Sequence, residues 1–334
     1  MRWIPFPAEE LRVHGLPWFP ENAPDLWRLP KRADKVVRPP VWQRARFPGG
    51  GRIRFRTNTS RLAIRVSASQ LTERSSMTAF GCRGLDAYVN GQFWRPVAIT
   101  APGESEKEVF AEVGTDAKTI DLYLPLFQEC RLLSIGVDAD AEVQPPPAFA
   151  RERPLVLYGS SVAQGTCASR PGMTYEAILA RRLGVDFVNL GFGGNGKAEP
   201  EVVRLVAELD ACCFLFDLGK SFGRQSAEVY GAMLDAIRAA HPTTPLVCIT
   251  PIFSTQESFH PEYRDYSEGI RRVMRQAASD RQGRGDRRLH LVEGLQLLGA
   301  ADADGLQETL HPTDLGYERI ATRLLPTLGR ALAL

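Results

Sequence analysis

After Gly49-Gly50-Gly51 the chain alternates polar and apolar residues, first in Arg52-Ile53-Arg54-Phe55-Arg56 and then in Leu62-x-Ile64-x-Val66. A period of two sends successive side chains to opposite faces, so both stretches predict strands with one buried face. Residues 85–89, ahead of the turn Asn90-Gly91, and residues 93–99, 118–124 and 132–137 continue the pattern at the spacing of a β-sandwich. No convincing amphipathic helix interrupts them. At Gln144-Pro145-Pro146-Pro147-Ala148 three prolines remove three backbone donors, which predicts an extended linker and a boundary between residues 1–146 and 147–334. Beyond it the period switches back and forth. Apolar runs at 155–158, 187–190, 212–218, 246–250 and 289–292 predict strands. Helical patterns fall at 173–183, 200–209, 226–240 and 263–279 and after Pro312. Five strands separated by helices imply an α/β domain with a parallel sheet covered on both faces, whose ligands sit at the carboxyl ends of the strands. A site is therefore expected in the loops after residues 158, 190, 218, 250 and 292.

Composition narrows the partners. The chain has 334 residues, with 41 Lys+Arg against 39 Asp+Glu and a net charge of +2, and no basic run. Nucleic-acid binding draws most of its affinity from neutralised phosphates, so it is not expected here. No apolar stretch approaches the length that spans a bilayer, and Met1-Arg-Trp-Ile-Pro-Phe-Pro lacks the order of a signal peptide, so no membrane association and a cytoplasmic location are expected. The six cysteines form no C-x-x-C pair, and Cys212, Cys213 and Cys248 lie inside apolar runs, where a thiol packs as a small hydrophobe. Arginines 52, 54 and 56 are expected on a solvated strand face, with an acidic ligand as the alternative. All five tryptophans, Trp3, Trp18, Trp27, Trp42 and Trp94, fall in the first half, as core anchors or as platforms for sugar rings.

Chemistry concentrates at two ends of the second half. The segment Gly159-Ser160-Ser161-Val162-Ala163-Gln164-Gly165 follows the first strand; its glycine permits a tight turn that lifts a serine from the sheet edge toward helix N–H groups. It is not the G-x-S-x-G elbow, because position 163 is Ala. Near the other end, Glu308-Thr309-Leu310-His311-Pro312 sets a carboxylate three residues before a histidine. Serine nucleophiles need a neutral imidazole to take the hydroxyl proton and a carboxylate to hold the ring. His14, His241, His260 and His290 have no such setting.

Together these segments resemble the SGNH (GDSL-type) hydrolase family over roughly residues 154–330. The resemblance implies a three-layer α/β/α, flavodoxin-like sheet. It places the nucleophile at Ser161, with Ser160 where the family commonly has Asp. Val188-Asn189-Leu190-Gly191-Phe192-Gly193-Gly194-Asn195-Gly196 is similar to the second block, which puts an oxyanion-binding glycine at Gly194. Glu308-Thr309-Leu310-His311-Pro312 is similar to D-x-x-H-P, with Glu308 replacing Asp; Asp304 is an alternate acid. In the third block the family has Gly-x-Asn, whereas Gly219-Lys220-Ser221 puts Ser221 at the asparagine position. Ser221 is a shorter donor, with Asn195 or Lys220 as compensating groups. Further strings, among them Ser169-Arg170-Pro171-Gly172-Met173 and Leu122-Tyr123-Leu124-Pro125-Leu126, resemble a bacterial subgroup with an N-terminal, jelly-roll-like β-sandwich.

The resemblance implies an esterase acting on a carbohydrate or similar small-molecule ester through Ser161, His311 and Glu308, with Gly194, Ser221 and Asn195 in the oxyanion hole and no metal or organic cofactor. An acyltransferase would use the same triad. A carbohydrate-binding protein with a weakened catalytic domain is the reading from a different class. The sandwich is left with three roles: binding sugar, shaping the mouth of the site, or forming a homo-oligomer.

Overall fold

The computed structural model describes residues 1–333. Its first half contains two antiparallel sheets. One has the strand order Arg2–Pro5, Arg131–Val137, Leu62–Ala68, Gly103–Phe110; the other runs Val143–Gln144, Arg52–Thr57, Lys118–Tyr123, Gly84–Val89, Gln92–Ala98, with Arg12–His14 also paired to Arg52–Thr57. Ile53, Phe55, Ile64, Val66, Ile120, Leu122 and Ile135 fill the space between them. These are the apolar members of the alternating stretches, as a two-sheet sandwich requires. The second half is a parallel sheet of five strands in the order Val185–Gly191, Arg151–Gly159, Cys213–Asp217, Leu246–Ile249, Leu289–Val292. Helices cover both faces, each over its own apolar core. In sequence numbering the order is 2-1-3-4-5, the flavodoxin-like arrangement. No helix is long and apolar enough to cross a membrane.

Two expectations are corrected in the first half. Helices do interrupt it, at Phe19–Asn22, Pro39–Ala45 and Ala79–Arg83. Each is too short to display a helical period, and Pro39–Ala45 starts on prolines, which suit the first turn because its N–H groups have no partner there. The arginine stripe is also not a solvated face. Arg52 is 2% exposed and pairs with Asp186 of the parallel sheet, its guanidinium lying 4.0 Å from the Phe187 ring centroid. Arg54 pairs with Asp121 and lies 3.9 Å from the Phe149 ring; only Arg56 stays in solvent. Period two shows which residues share a face, and here that outer face is covered by the second half of the chain. A cavity of about 450 Å3 remains at this junction, among Arg54, Tyr88, Tyr123, Phe149, Arg181 and Phe187.

The junction reaches further. Leu29, Val37, Val41 and Ala45 pack in one core with Val188, Leu190 and Phe192 of the parallel sheet and its following loop. Trp18 joins the same core, Trp42 packs against it, and Trp27 meets Trp42 edge-on at 5.4 Å. Trp3 lies under Arg65, which leaves Trp94, 45% exposed, as the one tryptophan offering a large free face.

At the centre of this junction is Arg28, fully buried. Its Nε donates to the Phe47 carbonyl at 2.8 Å, Nη2 to the Arg44 carbonyl at 2.7 Å, and Nη1 to the Gly191 carbonyl at 2.6 Å. Burial lowers its pKa, opposed by the charge of Glu176. Removing one member of such a buried set strands the others without water. Replacing Arg28 by Met is therefore expected to cost about 3–5 kcal/mol of stability, measured as the loss of unfolding free energy in urea.

Candidate active site

Ser161 opens a one-turn helix, Ser161–Gln164, directly after the strand Arg151–Gly159. The first N–H groups of a helix have no partner within it, so the Ser161 N–H is not spent on its own helix. Two bonds beyond the strand ends align this loop with its neighbours: the Ser160 N–H donates to the Asp217 carbonyl at 3.0 Å, and the Phe192 N–H to the Gly159 carbonyl at 3.0 Å. Ser160 itself is 2% exposed and fits between Gly196 and Gly219, where an added Cβ would lie 3.0 and 3.1 Å from its side chain.

The histidine arrives from the other end of the chain. Leu306 and Pro312 form an isolated bridge, and the Gln307 N–H donates to the His311 carbonyl at 2.8 Å, closing a narrow loop that sets Glu308 beside His311. His311 Nδ1 contacts the Glu308 carboxylate, and Nε2 lies 2.8 Å from Ser161 Oγ. Glu308, not Asp304, is thus the acid at the ring. The final helix, Asp314–Leu332, carries the loop, and Tyr317 on it donates its hydroxyl to the Thr166 carbonyl at 2.7 Å, just past the serine. Asp314 accepts from the Ser169 N–H at 2.9 Å, a second tie between the two segments.

In the loop after Gly191 the three successive amides differ. Gly193 N–H donates to Gln164 Oε1 at 2.8 Å and Asn195 N–H to the Phe192 carbonyl at 2.7 Å, whereas among the described residues none accepts from Gly194 N–H. Gly194 has φ +73°, a backbone that L side chains rarely adopt, and open space where a Cβ would be. Glycine is required there by conformation and not by crowding. Asn195 is corrected: its Nδ2 donates to the Gly193 carbonyl at 2.7 Å and its Oδ1 accepts from Arg38 at 2.9 Å, so its amide pins the loop instead of lining the pocket.

Ser221 does line the pocket, in the turn Gly219–Phe222, together with Ser161, Ile252, Tyr263, Tyr266 and Leu310, around a volume of about 330 Å3. Lys220 also lines the pocket, but its ammonium is engaged: its Nζ donates to the Ile252 carbonyl at 3.0 Å and pairs with Glu257 at 2.7 Å. Burial pushes this ammonium down to about 8. The sequence did not single out Cys167, whose thiol lies within 4.8 Å of the ligating atoms of Glu308 and His311, at a positive φ of 71°. Nor did it single out Asp217, buried at the end of its strand with Tyr175 donating to it at 3.1 Å. All six cysteines are buried and unbridged. His14 pairs with Asp186, His241 faces the Ala207 carbonyl at 2.9 Å, and His260 stays exposed.

Residues 152–329 match the model of the GDSL-like lipase/acylhydrolase family, and residues 1–143 match that of the N-terminus of SGNH-hydrolase-type esterases. The first match covers more than half of the chain, which belongs to this family of ester-hydrolysing enzymes. No curated protein matches it in sequence. Among solved structures, one named for a GDSL-like lipase of Bacteroides ovatus superposes with a TM-score of 0.89 at 28% identity, covering 99% of this chain and 98% of the other. The salicylyl-acyltransferase SsfX3 of a tetracycline biosynthetic pathway gives 0.85 at 22%, covering 98% and 97%. A family two carbohydrate esterase from Clostridium thermocellum, in complex with cellohexaose, gives 0.65 at 15%, covering 86% and 96%. The last two share the fold.

Asp217 generates a pH dependence. Burial raises its pKa to about 6, against an ordinary value of 3.8. Between these values the folded state holds a proton that the unfolded state has released, so the contribution of this group to stability falls as pH rises from about 4 to 6 and is level above. Asp217→Asn is expected to match the parent near pH 4 and to exceed it by about 2–3 kcal/mol at pH 8, read from urea unfolding at both pH values.

Proposed function

We propose that the chain is a serine esterase that hydrolyses short acyl esters of a carbohydrate or similar small molecule, with Ser161 as nucleophile, His311 as general base and Glu308 as the acid that orients the ring. The observation that carries this reading is the continuous contact from Ser161 Oγ through both ring nitrogens of His311 to Glu308. His311 Nε2 takes the hydroxyl proton as Ser161 Oγ attacks the ester carbonyl. The carbonyl oxygen then becomes an oxyanion facing the N–H groups of Ser161 and Gly194, with the Ser221 hydroxyl as third donor. As the tetrahedral intermediate collapses, His311 returns the proton to the departing alcohol and an acyl-enzyme remains. Water, deprotonated by the same imidazole, attacks that ester, releasing the acid and restoring Ser161. An alcohol held in place of water would make the second half-reaction acyl transfer. The 330 Å3 pocket suits a short acyl group, and a Ser161–His311–Glu308 contact assembled from segments 150 residues apart is not what a pure binding module would retain.

Hydrolysis of p-nitrophenyl acetate by the purified protein tests this. Ser161→Ala and His311→Ala should each lower kcat by about 10,000-fold or more, and undiminished turnover in either would refute the assignment. A separate set of assays addresses the changed third block. Losing one oxyanion donor costs about 100- to 1,000-fold, so Ser221→Ala should be slowed while Ser221→Asn, which restores the longer amide, should gain turnover by about tenfold or more. A slower Asn variant would mean that the hydroxyl is already the better donor.

A further inference from the structure

Two arginines of the sandwich half, Arg44 and Arg74, have no acidic partner among the described residues. Arg44, in the helix Pro39–Ala45, is half-buried, and its Nε would lie 3.5 Å from a Cβ built on Gly193, the same position that is 3.6 Å from Ser161 Cβ. Its guanidinium therefore stands against the oxyanion loop, next to the nucleophile. Its one hydrogen bond, at 3.1 Å to the Pro40 carbonyl, lies within its own helix. Arg74 comes from a different part of the sandwich half, after the strand Leu62–Ala68, with its guanidinium carbon 4.5 Å from the Phe127 ring centroid, and it directly precedes Ser75 and Ser76, which line a groove with Cys167, the neighbour of Glu308 and His311. Neither makes an ion pair among the described residues. The nearby carboxylates are already engaged: Glu308 holds His311, Glu73 pairs with Arg83 at 3.5 Å, and Glu129 pairs with Arg46 at 2.6 Å. Burial, and then the charge of Arg74, push Arg44 below its ordinary range. Buried Arg52, Arg54, Arg238 and Arg271 are each matched with an acid, and the donors of buried Arg28 are met by carbonyl oxygens. Two guanidiniums that repel each other beside a reacting centre are stabilised when an oxyanion completes them, and planar guanidinium suits a carboxylate in two-point contact.

We propose that the substrate ester carries an anionic group, a carboxylate or a similar oxyanion, that Arg44 and Arg74 bind beside the scissile bond. This rests on the reading of Ser161 as nucleophile. The small pocket behind Ser161 is lined by neither arginine, so the anion belongs to the part of the substrate that stays outside it. The sandwich half then has a role at the site, since it supplies both cations.

Two matched pairs of esters test it: phenyl acetate against 3-acetoxybenzoate, with the anion on the leaving alcohol, and p-nitrophenyl butyrate against mono-p-nitrophenyl succinate, with the anion on the acyl side. The readout is the ratio of kcat/KM, charged over neutral, for the parent, Arg44→Gln, Arg44→Lys and Arg74→Gln. The parent ratio should exceed ten in at least one pair. It should fall about tenfold in either Gln variant and be partly kept in Arg44→Lys. Arg74 is exposed, so its variant tests the idea even if Arg44→Gln unfolds. A parent ratio near one in both pairs, or a ratio unmoved by Arg74→Gln, overturns the proposal while Ser161-dependent turnover of the neutral esters leaves the nucleophile standing. Absence of turnover with all four esters removes the nucleophile reading and this proposal with it.

Discussion

The buried guanidinium of Arg28 is the constraint on which the site depends. It is a charge in an apolar core, tolerable because its donors are met by carbonyl oxygens from two parts of the chain: Arg44 and Phe47 on one side, Asn189 and Gly191 on the other. Gly191 ends the strand whose following loop holds Gly193 and Gly194, and Arg44 belongs to the helix that lies against that loop. One side chain therefore sets the distance between the Gly193–Gly194 loop and the segment that covers it. Asn189 extends the network inward, its Nδ2 donating to Glu176 at 2.6 Å and to the Ala163 carbonyl, within the helix that opens on Ser161, at 2.7 Å. The backbone approaches closely here too: a Cβ on Gly50 would stand 2.6 Å from that of Asn189.

The second alignment is between distant parts of the catalytic half. Ser161 and His311 are 150 residues apart, yet neither is placed by a flexible loop. The serine is fixed by the strand that precedes it. The histidine is fixed by the Leu306–Pro312 bridge and by Tyr317, whose hydroxyl reaches back to the carbonyl after the serine's helix. In the proposed mechanism such preorganisation removes reorganisation from the reaction step, because the groups would already stand where charge develops.

Much of this was legible in the sequence, unevenly so. The five strands of the parallel sheet and its helices follow from apolar runs whose period changes between strand and helix, and the carboxyl-end rule then points to the loops where Ser161, Gly194, Ser221 and His311 lie. The glycine at 194 and the spacing of Glu308 and His311 are local, so they could be read directly. What could not be read is long-range. Nothing in Arg52-Ile53-Arg54 says that its polar face will be covered, and the helix Pro39–Ala45 is too short to announce itself. Asn195 has the right chemistry and position in the chain for an oxyanion donor, but Arg38, brought in from 157 residues away, takes its carbonyl oxygen. Arg44 and Arg74 were invisible for the same reason, since a missing ion-pair partner is a property of the folded surroundings.

The packing of Trp18, Leu29, Val37 and Val41 into the core of the parallel sheet has a consequence for how the chain is made. These residues leave the ribosome before every strand of the second half, and the sheet they cover is finished only when Leu289–Val292 emerges. Until then this apolar segment lacks the finished surface it buries against. Contacts of such high sequence separation slow folding and leave apolar side chains open to aggregation in the interval. Biogenesis of this protein thus runs against the N-to-C order in which domains ordinarily fold during synthesis: residues 18–45 are among the last parts to find their place.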